Sequence, residues 1–465
     1  MTIEDVVMRH EGRTDIPPLI EIRKMTVDAG PEAFWGPRHE ISRVRLEGLQ
    51  IHTPPRIPGA PHVIHGTNTD LASKYRFVID EIDADNALIV LLRKPADAAT
   101  APNEFRVHQV VLNGFGFNRA ATFHALLTNP KPRGEIDCDG QFGPWNAEDP
   151  SRTPVSGNYT FHDADLGTLK GLKGILSSTG KYRGPLDDLN VEGVTDTPDF
   201  ALRTSDHPMA LHTDFTAIVD GTNGNTVLTN VTARFLHTIV ETQGVVVDIY
   251  PQVKGRTIIL DATSNRARVE DLLALALTSD RPFMTGSARL KTRILIPEGD
   301  DDLVDRLQLD GQFRLGDVRF TSSTTQGKVD TLSRRGQGKP KDMDISDAAS
   351  DFQGQFKMSQ AEVTFSSLEF RVQGAAISLD GGYNLDSGQL NFHGELQMEA
   401  KLSHTMTGWK SAVLKPFDHF FQGHDGGSRI PIKITGTREK PLFATDFHDK
   451  ENPKRAPSGS SSPRN

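Results

Sequence analysis

A string of the form apolar-x-Gly-x-apolar-x-apolar recurs along this chain, and no other feature constrains the fold as tightly. It appears as Leu309, Gly311, Phe313 and Leu315; as Phe352, Gly354, Phe356 and Met358; as Leu379, Gly381, Tyr383 and Leu385; and as Phe392, Gly394, Leu396 and Met398. Gly157, Tyr159 and Phe161 form a weaker copy. Side chains of a strand alternate between its faces, so each copy is a strand with one apolar and one polar face. Turn residues lie between the copies, which is the pattern of an antiparallel meander. A glycine inside a strand offers no side chain to pack and marks a bend, a bulge or a close approach. Here it falls on the apolar side, where it relieves crowding on the inner surface of a bent sheet, so the apolar face is expected to be concave. The expected fold is therefore mainly β: an elongated, strongly curved antiparallel sheet shaped as a groove, with a few short helices.

Punctuation along the chain agrees with short strands. Residues 220–225 (Asp-Gly-Thr-Asn-Gly-Asn), Asp380-Gly-Gly382 and Asp386-Ser-Gly388 tolerate positive φ and read as hairpin turns. Proline-rich stretches at 53–61 and 130–132, with Pro95 and Pro102, read as loops, and the Ser/Pro-rich segment 452–465 as disordered. Strands are expected over 3–10 and 20–27. Val269, Leu272, Leu273 and Ala276 recur at helical spacing behind Glu270 and Asp271, which favour a helix N-terminus, so a helix is expected over 268–278. A shorter helix over 408–414, with Trp409, Val413 and Leu414, leads into Phe417, Phe420 and Phe421 and reads as a cap on one end of the sheet.

Charge and composition narrow the partners. Acidic residues outnumber basic ones, 61 to 52, and the basic residues are scattered, which excludes nucleic acid as the natural partner. Cys138 is the single cysteine, so no intramolecular disulfide is available. The longest apolar runs, 87–92 and 272–277, fall far short of the roughly 20 residues a membrane helix needs. Residues 1–13 contain three acidic side chains and no apolar core, unlike a secretory signal.

Motifs with catalytic meaning are missing or broken. Between Gly174 and Gly180 stand five residues, one too many for a phosphate-binding loop, and Tyr182 follows Lys181; this reads as strand and turn. Gly114 and Gly116 are followed by Arg119 where a dinucleotide fingerprint has glycine. The 16 histidines show no metal-ligand spacing and read as solvent-facing strand residues. Asp214, Asp220, Asn223 and Asn225 depart from Ca²⁺-loop spacing and suit a hairpin. There is no nucleophile elbow and no nominated carboxylate pair. The basic stretch 334–341 reads as a solvated loop, with contact to anionic head groups as the sharper alternative. No catalytic residue, metal ligand or cofactor is expected.

Several segments resemble the AsmA-like family of bacterial envelope proteins. In the C-terminal half these are Leu309-Asp-Gly-Gln-Phe313, Leu332-Ser-Arg-Arg-Gly-Gln-Gly-Lys-Pro340, Ala400-Lys-Leu-Ser403 and Ile430-Pro-Ile-Lys-Ile-Thr-Gly436. In the N-terminal half they are Thr14-Asp-Ile-Pro-Pro18, Ser178-Thr-Gly-Lys-Tyr-Arg-Gly184, Thr195-Asp-Thr-Pro-Asp-Phe200 and Val219-Asp-Gly-Thr-Asn-Gly224. The resemblance implies an inner-membrane helix, a periplasmic β-groove and a part in lipid movement or outer-membrane assembly. It implies an N-terminal part of the groove over 1–200, an AsmA-like C-terminal region over 201–447 and a disordered tail over 448–465. It also implies a periplasmic or inner-membrane-associated location, and since no anchor stands in the chain, an upstream segment is expected.

On this reading the groove is lined by Leu309, Gly311, Phe313, Leu315, Phe352, Phe356, Met358, Leu379, Tyr383, Leu385, Phe392, Leu396 and Met398. The expected partners are phospholipid acyl chains and a membrane surface or envelope proteins. Strand pattern alone favours a closed sandwich core, and the resemblance is what favours an open groove. A further alternative is a chaperone-like protein that pairs its sheet edges with outer-membrane protein strands. A carbohydrate-active enzyme would need aromatic platforms, which 3 Trp and 5 Tyr supply thinly.

Overall fold

The computed structural model describes residues 1–9, 17–30, 38–53, 76–92, 103–116, 119–146, 149–205, 207–249, 255–278, 281–401, 427–437 and 440–445. The fold is mainly β with few helices, a curved sheet as expected. It divides into two compact units, Met1–Leu315 with Met358–Gln360, and Gly316–Lys357 with Ala361–Asn465. The boundary expected near residue 200 falls inside a strand that is paired on both sides.

In the first unit β1 (Thr2–Met8), β2 (Ile20–Asp28) and β3 (Arg38–Thr53) pair antiparallel in chain order. β3 and β4 (Arg76–Leu91) then run parallel, a departure from the antiparallel meander. Parallel neighbours need a long connection, and the residues between these two strands, 54–75, lie outside the described residues. From β4 each strand pairs antiparallel with the next: β5 (Asn103–Gly116), β6 (Ala121–Pro130), β7 (Arg133–Phe142) and β8 (Pro154–Asp165). The two-residue β9 (Leu172–Lys173) pairs with the end of β11 (Leu189–Leu202), while β10 (Ile175–Pro185) lies between β8 and β11. The series continues through β12 (Met209–Val219), β13 (Thr226–Phe235), β14 (Thr238–Val247), β15 (Thr257–Arg268) and β16 (Met284–Ile296).

Two devices bend this sheet. Across β1 to β4, Asp5 (φ 55°), Gly48 (φ 67°) and Asn86 (φ 54°) adopt the left-handed conformation within strands. Gly48 and Asn86 hold equivalent positions in the β3–β4 register. Each such residue shifts the side-chain alternation, so residues three apart share a face: Leu46 with Leu49 and Ala84 with Ala87 all join one buried cluster with Ile22 and Val107. From β7 onward glycines take over. A Cβ on Gly140, Gly157 or Gly180 would run into the carbonyl oxygen of Ser156, Asp139 or Glu192 on the adjoining strand.

The helix expected over 268–278 is α1 (Val269–Ala276). Val269 packs with Ala267 and Ala288, and Leu272 and Leu273 join them with Leu315. Buried Asp271 fixes the helix start to the β13–β14 turn by accepting from the His237 amide and the Thr238 hydroxyl, each at 2.8 Å. A one-turn helix, α2 (Leu303–Arg306), precedes β17 (Gln308–Phe320).

The second unit carries α3 (Ser323–Gly336), much of β18 (Ser350–Ser359), and then β19 (Glu362–Val372), β20 (Ala375–Asn384), β21 (Leu390–Met398), β22 (Ser428–Gly436) and β23 (Pro441–Thr445), the last five paired antiparallel in order. α3 lies in a stretch with no helical apolar periodicity. Its apolar stripe is thin, but the Ser322 hydroxyl caps its first turn, and Val329 and Leu332 pack with Val372, Ala375, Met398 and Leu396. The basic stretch 334–341, expected as a loop, thus begins in the last helical turn, with Arg334 and Arg335 where a helix dipole favours cations. Residues 220–225 and 386–388 do form hairpin turns, but Asp380-Gly-Gly382 lies inside β20. There Gly381 permits a bend where a Cβ would strike the Asn391 carbonyl, so the glycines serve close approach rather than a turn. The helix expected at 408–414, the phenylalanines after it and the tail from 448 lie outside the described residues.

Candidate functional site

Cross-strand register assembles one apolar row in the first unit. Ala125, Cys138, Tyr159, Gly180, Gly193 and Phe215 are directly opposed, strand to strand, from β6 to β12. The same row reaches Ile3 through Val110, Ala84, Leu46 and Met25, and Thr292 through Val231, Thr242 and Ala262. At about 4.8 Å per strand it runs about 65 Å along the sheet, with no charged side chain in it.

The glycines of this row are covered by rings from neighbouring strands. The Phe123 ring lies over Gly140, the Tyr182 hydroxyl over Gly157, Tyr159 over Gly180 and Gly193, and Phe215 over Gly193. The rings are nevertheless half-buried rather than sealed: Phe123, Tyr159, Phe161, Tyr182 and Phe215 all retain solvent contact. A second sheet stacked on this face would bury them as a core. Among the described residues of this unit the strands lie against their paired neighbours, and α1 packs on β15 and β16.

Polar groups on this face are neutral. Burial pushes the Cys138 thiol up to about 11, with Asp137 and Asp139 behind the strand adding to the effect. Burial raises the Tyr159 phenol, whose hydroxyl lies 3.1 Å from the Ser178 hydroxyl, and Ser178 donates to the Val194 carbonyl at 2.9 Å. Burial likewise raises the Tyr182 phenol far above its ordinary range, helped by Cys138 and Asp139. Its hydroxyl oxygen is shielded from water and has the Cys138 side chain as its polar neighbour.

The opposite face is hydrophilic and ion-paired. The His212 imidazole Nδ1 lies 2.7 Å from Asp196, and Arg234 bonds Asp214, holding that carboxyl below its usual range. The His124 Nδ1 lies 3.0 Å from Asp139 and 3.5 Å from Asp137, and these three residues are the described group whose donor atoms converge closely enough to hold a metal ion. Sequence spacing concealed this group because it is made across strands: His124 stands opposite Asp139 in the β6–β7 register. Asp220 accepts from the Thr222 amide and the Asn223 side chain within its hairpin, as a turn residue does.

The expected lining residues share faces as their spacing required, with different degrees of cover. Leu309, Gly311, Phe313 and Leu315 alternate with exposed Asp310, Gln312 and Arg314, and Leu315 lies under α1. In β20 and β21, Leu379, Gly381 and Tyr383 oppose Gly394, Phe392 and Leu390 on one face. Phe352 sits 4.8 Å from the Phe370 ring and 6.3 Å from that of Phe320. Phe356 is half-buried, whereas Met358, Leu379 and Phe392 are buried. Leu396 and Met398 pack with α3, so this helix covers part of the face expected to be open. Leu385 falls beyond β20, in the turn, because the strand ends at Asn384.

No family model, curated protein or solved structure matches the chain. Among the described residues no helix is long and apolar enough to cross a membrane.

Proposed function

We propose that this chain is a non-enzymatic protein of the AsmA-like kind that binds or bridges phospholipid acyl chains along its apolar face at a bacterial envelope. Its role would be lipid transport and outer-membrane assembly, in a periplasmic or inner-membrane-associated setting. One observation carries the reading: the apolar row is continuous from strand to strand and free of charge, and from β6 to β12 the rings along it are only half-buried. Each CH₂ laid against such a surface gains about 0.8 kcal/mol, so an acyl chain is retained, and continuity lets it slide between strands without rehydration. The hydrophilic opposite face keeps the sheet wetted.

Native mass spectrometry of the purified protein tests this reading. Bound phospholipid is the expected result. A preparation that carries none and also leaves fluorescent acyl probes unbound contradicts it.

A chaperone-like role in outer-membrane protein assembly draws support from β1, which among the described residues pairs with β2 along one edge and exposes Val7 and Met8. Cross-links to unfolded barrel proteins, with no lipid bound, would favour it.

A further inference from the structure

We infer that His124, Asp137 and Asp139 form a binding site for one divalent transition-metal ion of the Zn²⁺ class, on the hydrophilic face and independent of the lipid reading. Alternation along β7 places the two aspartates, two residues apart, on the same side of the sheet, with Cys138 between them on the apolar row. Register with β6 sets His124 directly across from Asp139. One imidazole nitrogen, Nδ1, thus faces both carboxylates, at 3.0 Å from Asp139 and 3.5 Å from Asp137, and the three donor atoms all lie within 4.8 Å of one another. Metal–ligand arms of about 2.1 Å to nitrogen and oxygen set tetrahedral donor–donor edges of about 3.4 Å, so an ion at the centre of this triangle reaches all three donors with small side-chain shifts.

A second trio in the same sheet shows what sets this one apart. His212 lies 2.7 Å from Asp196 and 3.8 Å from Asp214, again one imidazole with two carboxylates, but there Arg234 bonds Asp214 and supplies the cation. Among the described residues no lysine or arginine pairs with Asp137 or Asp139, whose ionic partner is His124. With a neutral imidazole the His124 trio carries two uncompensated negative charges, which a divalent ion balances. One imidazole nitrogen with two carboxylate oxygens suits Zn²⁺ and its neighbours, whereas Ca²⁺ and Mg²⁺ take shells of about six or more oxygens. Glu135, next on this side of β7, accepts from the Thr128 hydroxyl at 2.8 Å and lies 3.3 Å from the His108 ring, so the fourth position falls to water.

The test titrates the full chain, stripped of metal by a chelator, with Zn²⁺ alone in a calorimeter. One equivalent is expected to bind at this site. His124→Ala and Asp137→Asn are each expected to weaken that binding at least about tenfold, since even the outer partners of metal ligands are worth that much. His212→Ala, at the trio that Arg234 already neutralises, is expected to leave it unchanged. X-ray absorption at the zinc edge of the loaded wild type needs no variant, and one imidazole with oxygen ligands at about 2.0–2.2 Å is the expected shell. Absence of binding by the wild type overturns the inference. So does binding that survives in both His124→Ala and Asp137→Asn, binding weakened as much by His212→Ala, or a zinc shell that holds two or more imidazoles.

Discussion

The first unit bends its sheet in two ways, and the contrast between β2–β5 and β6–β12 separates what holds the protein together from what we assign to ligand. In β2–β5, left-handed residues shift the alternation so that Ile22, Leu49, Ala84, Ala87 and Val107 gather into a buried cluster. In β6–β12, glycines admit the bend and rings from adjoining strands lie over them, leaving an apolar face that is half-open. One region spends its apolar surface on stability. The other leaves its rings half-buried. The difference teaches that a continuous apolar row need not have one purpose along its length.

The contrast breaks most severely at the glycines. Gly157→Val drives a branched side chain into the Asp139 carbonyl and the Tyr182 hydroxyl, and is expected to cost more than about 3 kcal/mol by urea unfolding. Gly327→Ala in α3, where an added Cβ meets nothing within 4 Å, is expected to stabilise by up to about 1 kcal/mol in the same assay. Truncating the two apolar regions sharpens the comparison. Leu49→Ala in the buried cluster is expected to cost about 3 kcal/mol, and Val191→Ala on the half-open face about 1 kcal/mol.

Cys138 reports on the same face chemically. Its pKa, raised by burial to about 11 from the ordinary 9.0, leaves about a hundredfold less thiolate at pH 8, so alkylation should be slower by that factor than for a free thiol. A bound acyl probe should slow it further. Because the folded value lies above the unfolded one, the stabilising contribution of the neutral thiol is complete below pH 9 and is lost as pH rises through 11. A rate already saturated at pH 8 would show that the face does not shield it. The smallest effect belongs to the left-handed line: Asn86→Ala should cost about 1 kcal/mol, while Asn86→Gly should change stability by less than about 0.5 kcal/mol.

Much of this was legible in the sequence because a strand's period of two survives any tertiary arrangement. The Gly311, Gly381 and Gly394 strings announced their shared faces, and α1 was visible from Val269, Leu272 and Leu273. What escaped depends on contacts distant in sequence or on backbone conformation. The parallel β3–β4 pairing and the shifts at Gly48 and Asn86 put residues three apart on one face, which no alternating template detects. α3 has two principal apolar contacts, Val329 and Leu332, too few to be seen as a stripe until Leu396 and Met398 are placed beneath them. The seating of the Tyr182 hydroxyl depends on Gly157, one strand away in the sheet.

Photo-crosslinking at adjacent positions of β12 tests the central claim most directly. With a photoreactive phenylalanine analogue at position 215, on the apolar row, or at exposed position 216, cells are irradiated and the adducts are identified by mass spectrometry. Phospholipid adducts at 215 and none at 216 are the predicted result. Equal labelling at both positions, or protein adducts alone at 215, would contradict an open acyl-binding face.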